Sequence, residues 1–409
     1  MYRCGLLGQK LAHSYSPMIH EALGGGYSYE LFEVEPVDLA SFLEQDDFHG
    51  LNVTIPYKKA VIPFCKTLSD AALAIGSVNT ILRHKDGTLH GDNTDAEGFL
   101  TMVKGSNISV KGKKVLVLGS GGSSLTVRHV LKSLGAEEII VVSRQGNQTY
   151  ENLSQHHDAR VIVNTTPVGM YPNTDETPLL LDDFTRLEGV LDIVYNPART
   201  RLLMDAENRD VPHMGGLAML VGQAKRSAEF FCDRTIDTKK EAEVFKLLRR
   251  RMENIILIGM PGSGKSTIGE ILAENLGRTF YDADAEIIKL SEKTVEEIFA
   301  SGGEDAFRAK ETEILSILGK ESGVVIATGG GCVTRPENYA HLHQNGIIVL
   351  IERDISLLTR NGRPLSQNTD LNEMYDKRLP HYMRFADKIV RNDTTVNEAA
   401  ETVAKTVFS

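Results

Sequence analysis

Residues Gly259 to Thr267 read GMPGSGKST; they follow a run of four apolar residues, Ile255 to Ile258, and open a segment patterned as a helix. This G-x-x-x-x-G-K-[ST] spacing between a strand and a helix confines the surrounding chain to α/β architecture, because the loop needs a strand end and a helix N-terminus on either side. Its glycines let the backbone turn tightly with N–H groups facing inward, and the helix start adds positive potential. Gly262, Ser263, Gly264, Lys265, Ser266 and Thr267 are therefore the expected cradle of a nucleoside triphosphate, with Lys265 reaching the outer phosphates and Ser266 on magnesium.

A chain of 409 residues, 41% of them apolar, exceeds what one hydrophobic core usually supports, so two or three domains are expected. The net charge of −10 is spread over both signs without long runs, which argues against a nucleic-acid partner. The one basic cluster, Arg249 to Arg251, reads as the cap of a linker helix. Cys4, Cys65, Cys232 and Cys332 are far apart with no C-x-x-C pair, which fits neither a disulfide framework nor a zinc site and suits a reducing cytoplasm. The first residues, MYRCGLLGQK, carry no secretory pattern, and no apolar run approaches the roughly 18 residues of a membrane span.

Short β-branched runs alternate with helical patterns, for example Val115 to Leu118, Leu125 to Leu134 and Ile139 to Val142, a rhythm of βαβ units and parallel sheets. Between Asp233 and Glu253 the composition turns strongly charged, with an apolar residue only every few positions, and this stretch reads as an interdomain linker over 236–253. A second glycine-rich turn, VLVLGSGGSS, has Gly119 and Gly121 where a dinucleotide-binding loop bends toward a pyrophosphate, with Ser124 at the third fingerprint position. Gly119, Ser120, Gly121, Gly122 and Ser123 are the candidate contacts there. The next strand ends at Ser143-Arg144, about 20 residues on, where an NAD site places an acidic residue; a guanidinium suits a 2′-phosphate instead, hence NADP.

Upstream lie polar motifs at loop-like positions: Ser14 and Ser16 with Pro17, NVTIPYKK from Asn52, and SVNT and GDNTD between Ser77 and Asp95. Ser16 followed by Pro17 also suits a helix start, serine as N-cap and proline in the first turn. Asn52 and Thr54, two apart on an extended segment, face the same side, and Pro56 ends the ladder and presents Lys58 from a loop. With AHSYSPMIH, GLNVTIPYK, ALAIGSVNT, GDNTDAEGF, LGSGGSS, NTTPVGMYP, DIVYNPARTRLL and GGLAMLVGQA in order, residues 1 to about 232 resemble shikimate dehydrogenase. The resemblance implies Ser14, Ser16, Thr54, Asn79, Tyr195 and Gln223 on the substrate and Lys58 with Asp95 as the catalytic pair. The family usually carries Asn-Arg-Thr and a further basic residue where this chain has SRQGNQ, so Arg144 alone is left to favour NADP, by a small margin. The stretch from Gln145 to Arg160 is also short for the helix and strand expected there.

Beyond the phosphate loop, Asp282 and Asp284 follow an extended segment, and their spacing places both carboxylates on one side of the chain. Arg308 in GEDAFR lies one helical turn after Glu304 and can pair with it. Together, GMPGSGKST, FYDADAEI, GGEDAFR, ATGGGCV, RNGRPL and RLPHYMRFAD make residues 254–409 resemble shikimate kinase. The resemblance implies Lys265 on the β- and γ-phosphates, Ser266 and Asp282 on Mg2+, and Asp284 on the hydroxyl that is phosphorylated. It further implies Arg308 and Arg378 on the carboxylate, Gly330 and Gly331 against the ring, Arg360 against adenine, and Arg363 on a lid that closes over the transferring phosphoryl.

The expected fold is thus α/β throughout: a two-lobed dehydrogenase with a Rossmann-like nucleotide lobe (substrate lobe 1–100 plus 215–235, NADP lobe 101–214), then the charged linker, then a P-loop kinase domain with a parallel sheet flanked by helices. The expected activities are reduction of 3-dehydroshikimate with NADPH and phosphorylation of shikimate at its 3-hydroxyl with ATP and Mg2+, in the cytoplasm, without nucleic acid or membrane, a homo-oligomer being left open. An NAD-dependent quinate or shikimate oxidoreductase fused to a small-molecule kinase, or one half retained only as a binding module, are the competing readings.

Overall fold

Val115 to Leu118 and Ile255 to Ile258 show no polar alternation because both faces of each strand are covered. In the computed structural model, which describes residues 2–11, 14–44, 47–358 and 370–408, Val115 and Val117 enter one apolar cluster and Leu116 and Leu118 another. Ile256 and Ile258 likewise face one cluster while Ile255 and Leu257 face a second. Side chains alternate across a strand, so a strand buried on both faces reads as a continuous apolar run.

The chain divides into two compact units, Met1–Tyr195 with Leu202–Leu248, and Asn196–Arg201 with Arg249–Ser409. The first unit holds two sheets. One joins β1 (Arg3–Gly8), β2 (Ser28–Glu33), β3 (Gly50–Val53), β4 (Cys65–Leu68), β5 (Thr80–Arg83) and β6 (Leu89–Asp92) in the order β2-β1-β3-β5-β6-β4. It is mixed: β5 runs antiparallel to β3 and β6, and the other pairs are parallel. The second sheet, β7 (Lys114–Leu118), β8 (Glu138–Val142), β9 (Val161–Asn164), β10 (Gly189–Asp192) and β11 (His213–Gly215), is parallel throughout in the order β11-β10-β9-β7-β8. Its strand order reverses between β7 and β9, the position where doubly wound sheets bind ligands beyond their strand ends.

Helices α1 (Ser16–Leu23), α2 (Leu39–Glu44), α3 (Asp70–Ile75), α4 (Asp95–Gly105), α5 (Gly122–Ser133), α6 (Arg201–Asn208) and α7 (Leu217–Cys232) cover these sheets. α4 and α7 touch almost backbone to backbone: a Cβ at Gly98 would lie 2.5 Å from the Met219 carbonyl oxygen and 2.9 Å from Gln223 Cβ. That close approach fixes Asp95 at the head of α4 relative to Gln223 on α7. Between β8 and β9 the chain makes only a 3-10 turn, Tyr150–His156, in keeping with the short stretch noted there.

The charged stretch read as a linker forms helix α8 (Thr238–Met252), and the boundary between the two units falls within it, between Leu248 and Arg249. Val244 and Leu248, four apart on one face, together with Ile236, bury against Ile19 and Leu23 of α1 and Val221, Ala224 and Ala228 of α7. Lys225 pairs with Glu241 at 3.1 Å beside that seam. The charges populate the solvent face, and the sparse apolar residues are the i, i+4 stripe that ties the helix to the first unit. Arg249, Arg250 and Arg251 fill its last turn, where cations meet the negative end of the helix dipole.

The second unit holds one parallel sheet of β12 (Asn254–Ile258), β13 (Phe280–Asp282), β14 (Val325–Ala327), β15 (Gly346–Glu352) and β16 (Lys388–Arg391), ordered β13-β14-β12-β15-β16. Helices α9 (Lys265–Leu276), α10 (Ala283–Ser291), α11 (Val295–Leu318) and α12 (Glu337–His343), with Leu371–Phe385 and Val396–Phe408, flank it. Among the described residues no helix is long and apolar enough to cross a membrane.

Candidate active sites

In the first unit, the residues expected on a substrate converge on one cleft of about 260 Å³ lined by Ser14, Ser16, Thr54, Lys58, Asn79 and Asp95 on one side and Tyr195 and Gln223 on the other. Lys58 Nζ donates to Asp95 Oδ2 at 2.6 Å, the two side chains being 29% and 18% exposed. Asp95 stands in the first turn of α4, where the helix N-terminus favours a carboxylate. Asn79 Oδ1 accepts from the Thr94 backbone N–H at 2.7 Å and from the Thr94 and Thr80 hydroxyls at 3.2 and 3.1 Å, which leaves its NH2 to the cleft. The cleft is thus a small polar pocket with one ammonium held by one carboxylate, beside fixed amide and hydroxyl groups.

Ser16 departs from expectation in one respect. Tyr15 takes the N-cap position and Ser16 is the first helical residue, with no side-chain cap. The hydroxyl of Ser14 instead accepts from the Ser16 backbone N–H at 3.2 Å, so the Ser16 hydroxyl is spared capping and lines the cleft. Asn52, singled out in the sequence only for its alternation with Thr54, also lines it.

The dinucleotide turn leaves β7 at the reversal point. Gly119 has φ +101, which a side chain rarely adopts, and its Cα packs against Thr165 and Thr166 after β9. A Cβ at Gly121 or Gly122 would meet nothing within 4 Å, so the backbone face beside the start of α5 is open to an approaching pyrophosphate. Ser120 is exposed and Ser123 partly so. Ser124 is buried, with its Oγ unpartnered. Arg144 is exposed beyond the end of β8, whereas the Ser143 hydroxyl folds back onto the carbonyl of Gln145. Of that pair, only Arg144 has an exposed side chain.

The second unit has a cleft of about 580 Å³ at the C-terminal end of β12, lined by Gly262, Gly264, Lys265, Ser266 and Thr267, by Asp282 and Asp284, and by Arg308, Gly330, Gly331 and Arg378. Gly264 takes φ +96 as the chain enters α9, and Lys265 Nζ donates to the Gly259 and Met260 carbonyls at 2.9 Å each, which holds the ammonium in the mouth of the loop. Ser263 is fully buried beneath the loop, its carbonyl taking the Asn392 amide at 2.8 Å, so only its backbone serves the cradle. Arg360 and Arg363 lie outside the described residues.

The two aspartates do not share one side of an extended chain, because β13 ends at Asp282 and α10 begins at Ala283. Asp282 is the N-cap: its Oδ1 accepts from the backbone N–H of Asp284 and Ala285 at 3.0 and 3.2 Å. Its Oδ2 meanwhile accepts from Ser266 Oγ at 2.6 Å. Capping therefore orients Asp282 toward the loop serine and places Asp284 in the first turn of α10, facing the cleft.

Arg308 pairs with Glu304 at 3.1 Å, as its spacing suggested, and also with Glu311 at 2.7 Å. Glu311 is completely buried, and burial raises its carboxyl above the ordinary range against the pull of Arg308. A Cβ at Gly331 would lie 2.0 Å from a terminal nitrogen of Arg308, so glycine is required for the guanidinium to lie against this loop. Arg378 donates to the Gly330 carbonyl at 3.2 Å, and Tyr382, one turn later on the same helix, donates to the same oxygen. Glu311 and Tyr382 were not among the sequence-derived candidates; their i+3 and i+4 spacings from Arg308 and Arg378 are the signal that marks them. Arg308→Met is expected to destabilise the second unit by about 3–5 kcal/mol by leaving Glu311 buried without its partner. Denaturant unfolding checks this, and the added replacement Glu311→Leu is expected to restore most of the loss.

A Rossmann-like lobe facing an ammonium–carboxylate pocket, joined to a phosphate-loop unit with a carboxylate and two guanidiniums opposite, defines a dinucleotide-dependent oxidoreductase fused to a small-molecule kinase. The family models of the shikimate dehydrogenase substrate binding domain and of shikimate kinase match residues 6–81 and 261–408 respectively. The chain is 37% identical over 268 residues to the shikimate dehydrogenase (NADP(+)) of Clostridium beijerinckii, covering 61% of this chain and 98% of that protein. Among solved structures, it resembles a chorismate mutase/shikimate 5-dehydrogenase fusion protein from Clostridium acetobutylicum (TM-score 0.58, 35% identity, 61% of this chain and 97% of that one). It also resembles shikimate 5-dehydrogenase from Thermus thermophilus in complex with NADP(H) and shikimate (TM-score 0.55, 31% identity, 60% and 99%). The chain belongs to the shikimate dehydrogenase family and carries a shikimate kinase domain after it.

Proposed function

We propose that one cleft reduces 3-dehydroshikimate to shikimate with NADPH and that the other phosphorylates shikimate at its 3-hydroxyl with ATP. The observation that carries the first step is the 2.6 Å Lys58–Asp95 pair at the edge of a polar cleft. NADPH, when bound across the open Gly121–Gly122 face, supplies the hydride. As the substrate carbonyl becomes an alkoxide, Lys58 stabilises the charge and donates the proton, while Asp95 orients the ammonium and compensates it. Ser14, Ser16, Thr54, Asn79 and Gln223 hold the hydroxyls and carboxylate, Asn79 as a donor because its oxygen is already committed to Thr94. Tyr195 closes the pocket from the second sheet.

In the second cleft, ATP supplies the phosphoryl group and Mg2+ neutralises its phosphates. The Ser266 hydroxyl and Asp282 carboxylate, already paired at 2.6 Å, form the kind of sparse oxygen set that magnesium accepts alongside phosphates and water. Lys265 stabilises the negative charge on the outer phosphates, Asp284 takes the proton of the attacking hydroxyl, and Arg308 and Arg378 grip the substrate carboxylate with forked hydrogen bonds. Arg360 and Arg363 are assigned to adenine and to the transferring phosphoryl on the family resemblance alone. A cytoplasmic site of action accords with four cysteines that are all free.

Two assays on the purified full chain test the reading. NADPH oxidation should depend on 3-dehydroshikimate and ADP release on shikimate. Turnover of quinate with NAD in place of the first activity would point to the catabolic alternative, and the absence of the second would reduce that half to a binding module.

A further inference from the structure

Behind the first cleft lies a buried polar layer that no step of the reduction uses. Asn52, at the end of β3 and 5% exposed, faces the cleft on one side and this layer on the other. Its Oδ1 accepts from the Tyr29 hydroxyl at 2.7 Å and, more distantly, from Ser227 at 3.4 Å; its Nδ2 donates to Thr80 Oγ1 at 3.3 Å. The Tyr29 ring stacks on His20, centroids 3.9 Å apart and planes 10° from parallel. His20 is 2% exposed, and its Nδ1 pairs with the Tyr27 hydroxyl at 2.6 Å.

Burial pushes the His20 imidazole down to about 3, so the ring is neutral and carries one N–H and one lone pair. Its Nδ1 pairing with the Tyr27 hydroxyl fixes the ring on which Tyr29 stacks. Every hydrogen bond into Asn52 from this layer ends on its oxygen. With the oxygen turned to Tyr29 and one N–H on Thr80, the amide is held in one of its two orientations, its second N–H left for the cleft that Asn52 lines.

We propose that Tyr29, backed by His20 and Tyr27, is a positioning residue for the reduction, fixing Asn52 as a hydrogen-bond donor to the hydroxyls of the substrate. The proposal rests on the assignment of 3-dehydroshikimate to this cleft. Tyr29→Phe keeps the ring stacked on His20 and removes only the hydroxyl, which frees the Asn52 amide to turn its oxygen outward. A buried group left mispaired weakens binding of the substrate it serves, here by about tenfold. Among the described residues, no side-chain hydrogen bond joins Asn52, Tyr29, His20 or Tyr27 to the dinucleotide turn.

Steady-state kinetics of the full chain, wild type, Tyr29→Phe, Asn52→Ala and the double variant, decide the matter. Tyr29→Phe should raise KM for 3-dehydroshikimate about tenfold with KM for NADPH unchanged, and on the Asn52→Ala background it should add less than about threefold, because its main route of action is gone. Equal effects of Tyr29→Phe on both backgrounds, or a matching change in KM for NADPH, would overturn the proposal and leave Tyr29 as packing alone. A wild-type chain that reduces no 3-dehydroshikimate overturns the assignment of the reaction itself and the proposal with it, an outcome that the wild-type arm separates from the first.

Discussion

Lys58→Ala is expected to lower the rate of NADPH-dependent reduction by roughly 10² to 10⁴-fold, the range for loss of a positioned general acid, while ATP-dependent phosphorylation by the same polypeptide is unchanged. A partly exposed lysine–aspartate pair is worth only about 1 kcal/mol to stability, so a loss of this size cannot come from unfolding. The value of the pair lies in the transition state, where the ammonium at 2.6 Å from Asp95 meets charge that the ketone does not yet carry. Asp95→Asn should act in the same direction through the loss of its charge. Stopped-flow or steady-state absorbance of NADPH with each variant gives the ratio, and KM for the dinucleotide should stay within about twofold because both groups line the substrate cleft rather than the glycine-rich turn.

The counterpart in the second unit is Lys265→Ala, expected to reduce phosphoryl transfer to shikimate by roughly 10² to 10³-fold, as when one preorganised donor to a charged transition state is removed. Reduction of 3-dehydroshikimate should persist. Lys265 is 7% exposed and held by two carbonyls of its own loop, so its ammonium is placed before any phosphate arrives and little reorganisation is needed. Lys265→Arg is not a conservative rescue, since the planar fork cannot occupy the place of a compact ammonium between the Gly259 and Met260 carbonyls. ADP release coupled to a second NADH-linked reaction would be confounded by the first unit, so phosphate-transfer product is the better readout.

Much of this was legible in the chain because the groups that touch ligands cluster in short motifs. The phosphate loop needs only local sequence, and Ser14, Thr54, Lys58, Asn79 and Asp95 sit where strand ends and helix starts bring them together in the first cleft. The residues that escaped sequence reasoning act at one remove. Glu311 is visible only once Arg308 is seen to be buried, and Tyr29 and His20 come from different elements that meet behind Asn52. Within 236–253, where the boundary between the two units falls, high charge masked the Val244 and Leu248 stripe, whose partners lie on α1 and α7 far away in sequence. Asp282 and Asp284 both line the second cleft, but not by the expected geometry, because strand spacing was extended across a residue that caps a helix.

The central claim is that each unit carries its own competent pocket for the same hydroxylated ring acid. The most direct test supplies the purified full chain with 3-dehydroshikimate, NADPH, ATP and magnesium and follows shikimate 3-phosphate by phosphorus resonance. Product should appear only when both NADPH and ATP are present, with shikimate accumulating when ATP alone is withheld. Phosphorylated product formed without NADPH, or no product from the complete mixture, would contradict the account.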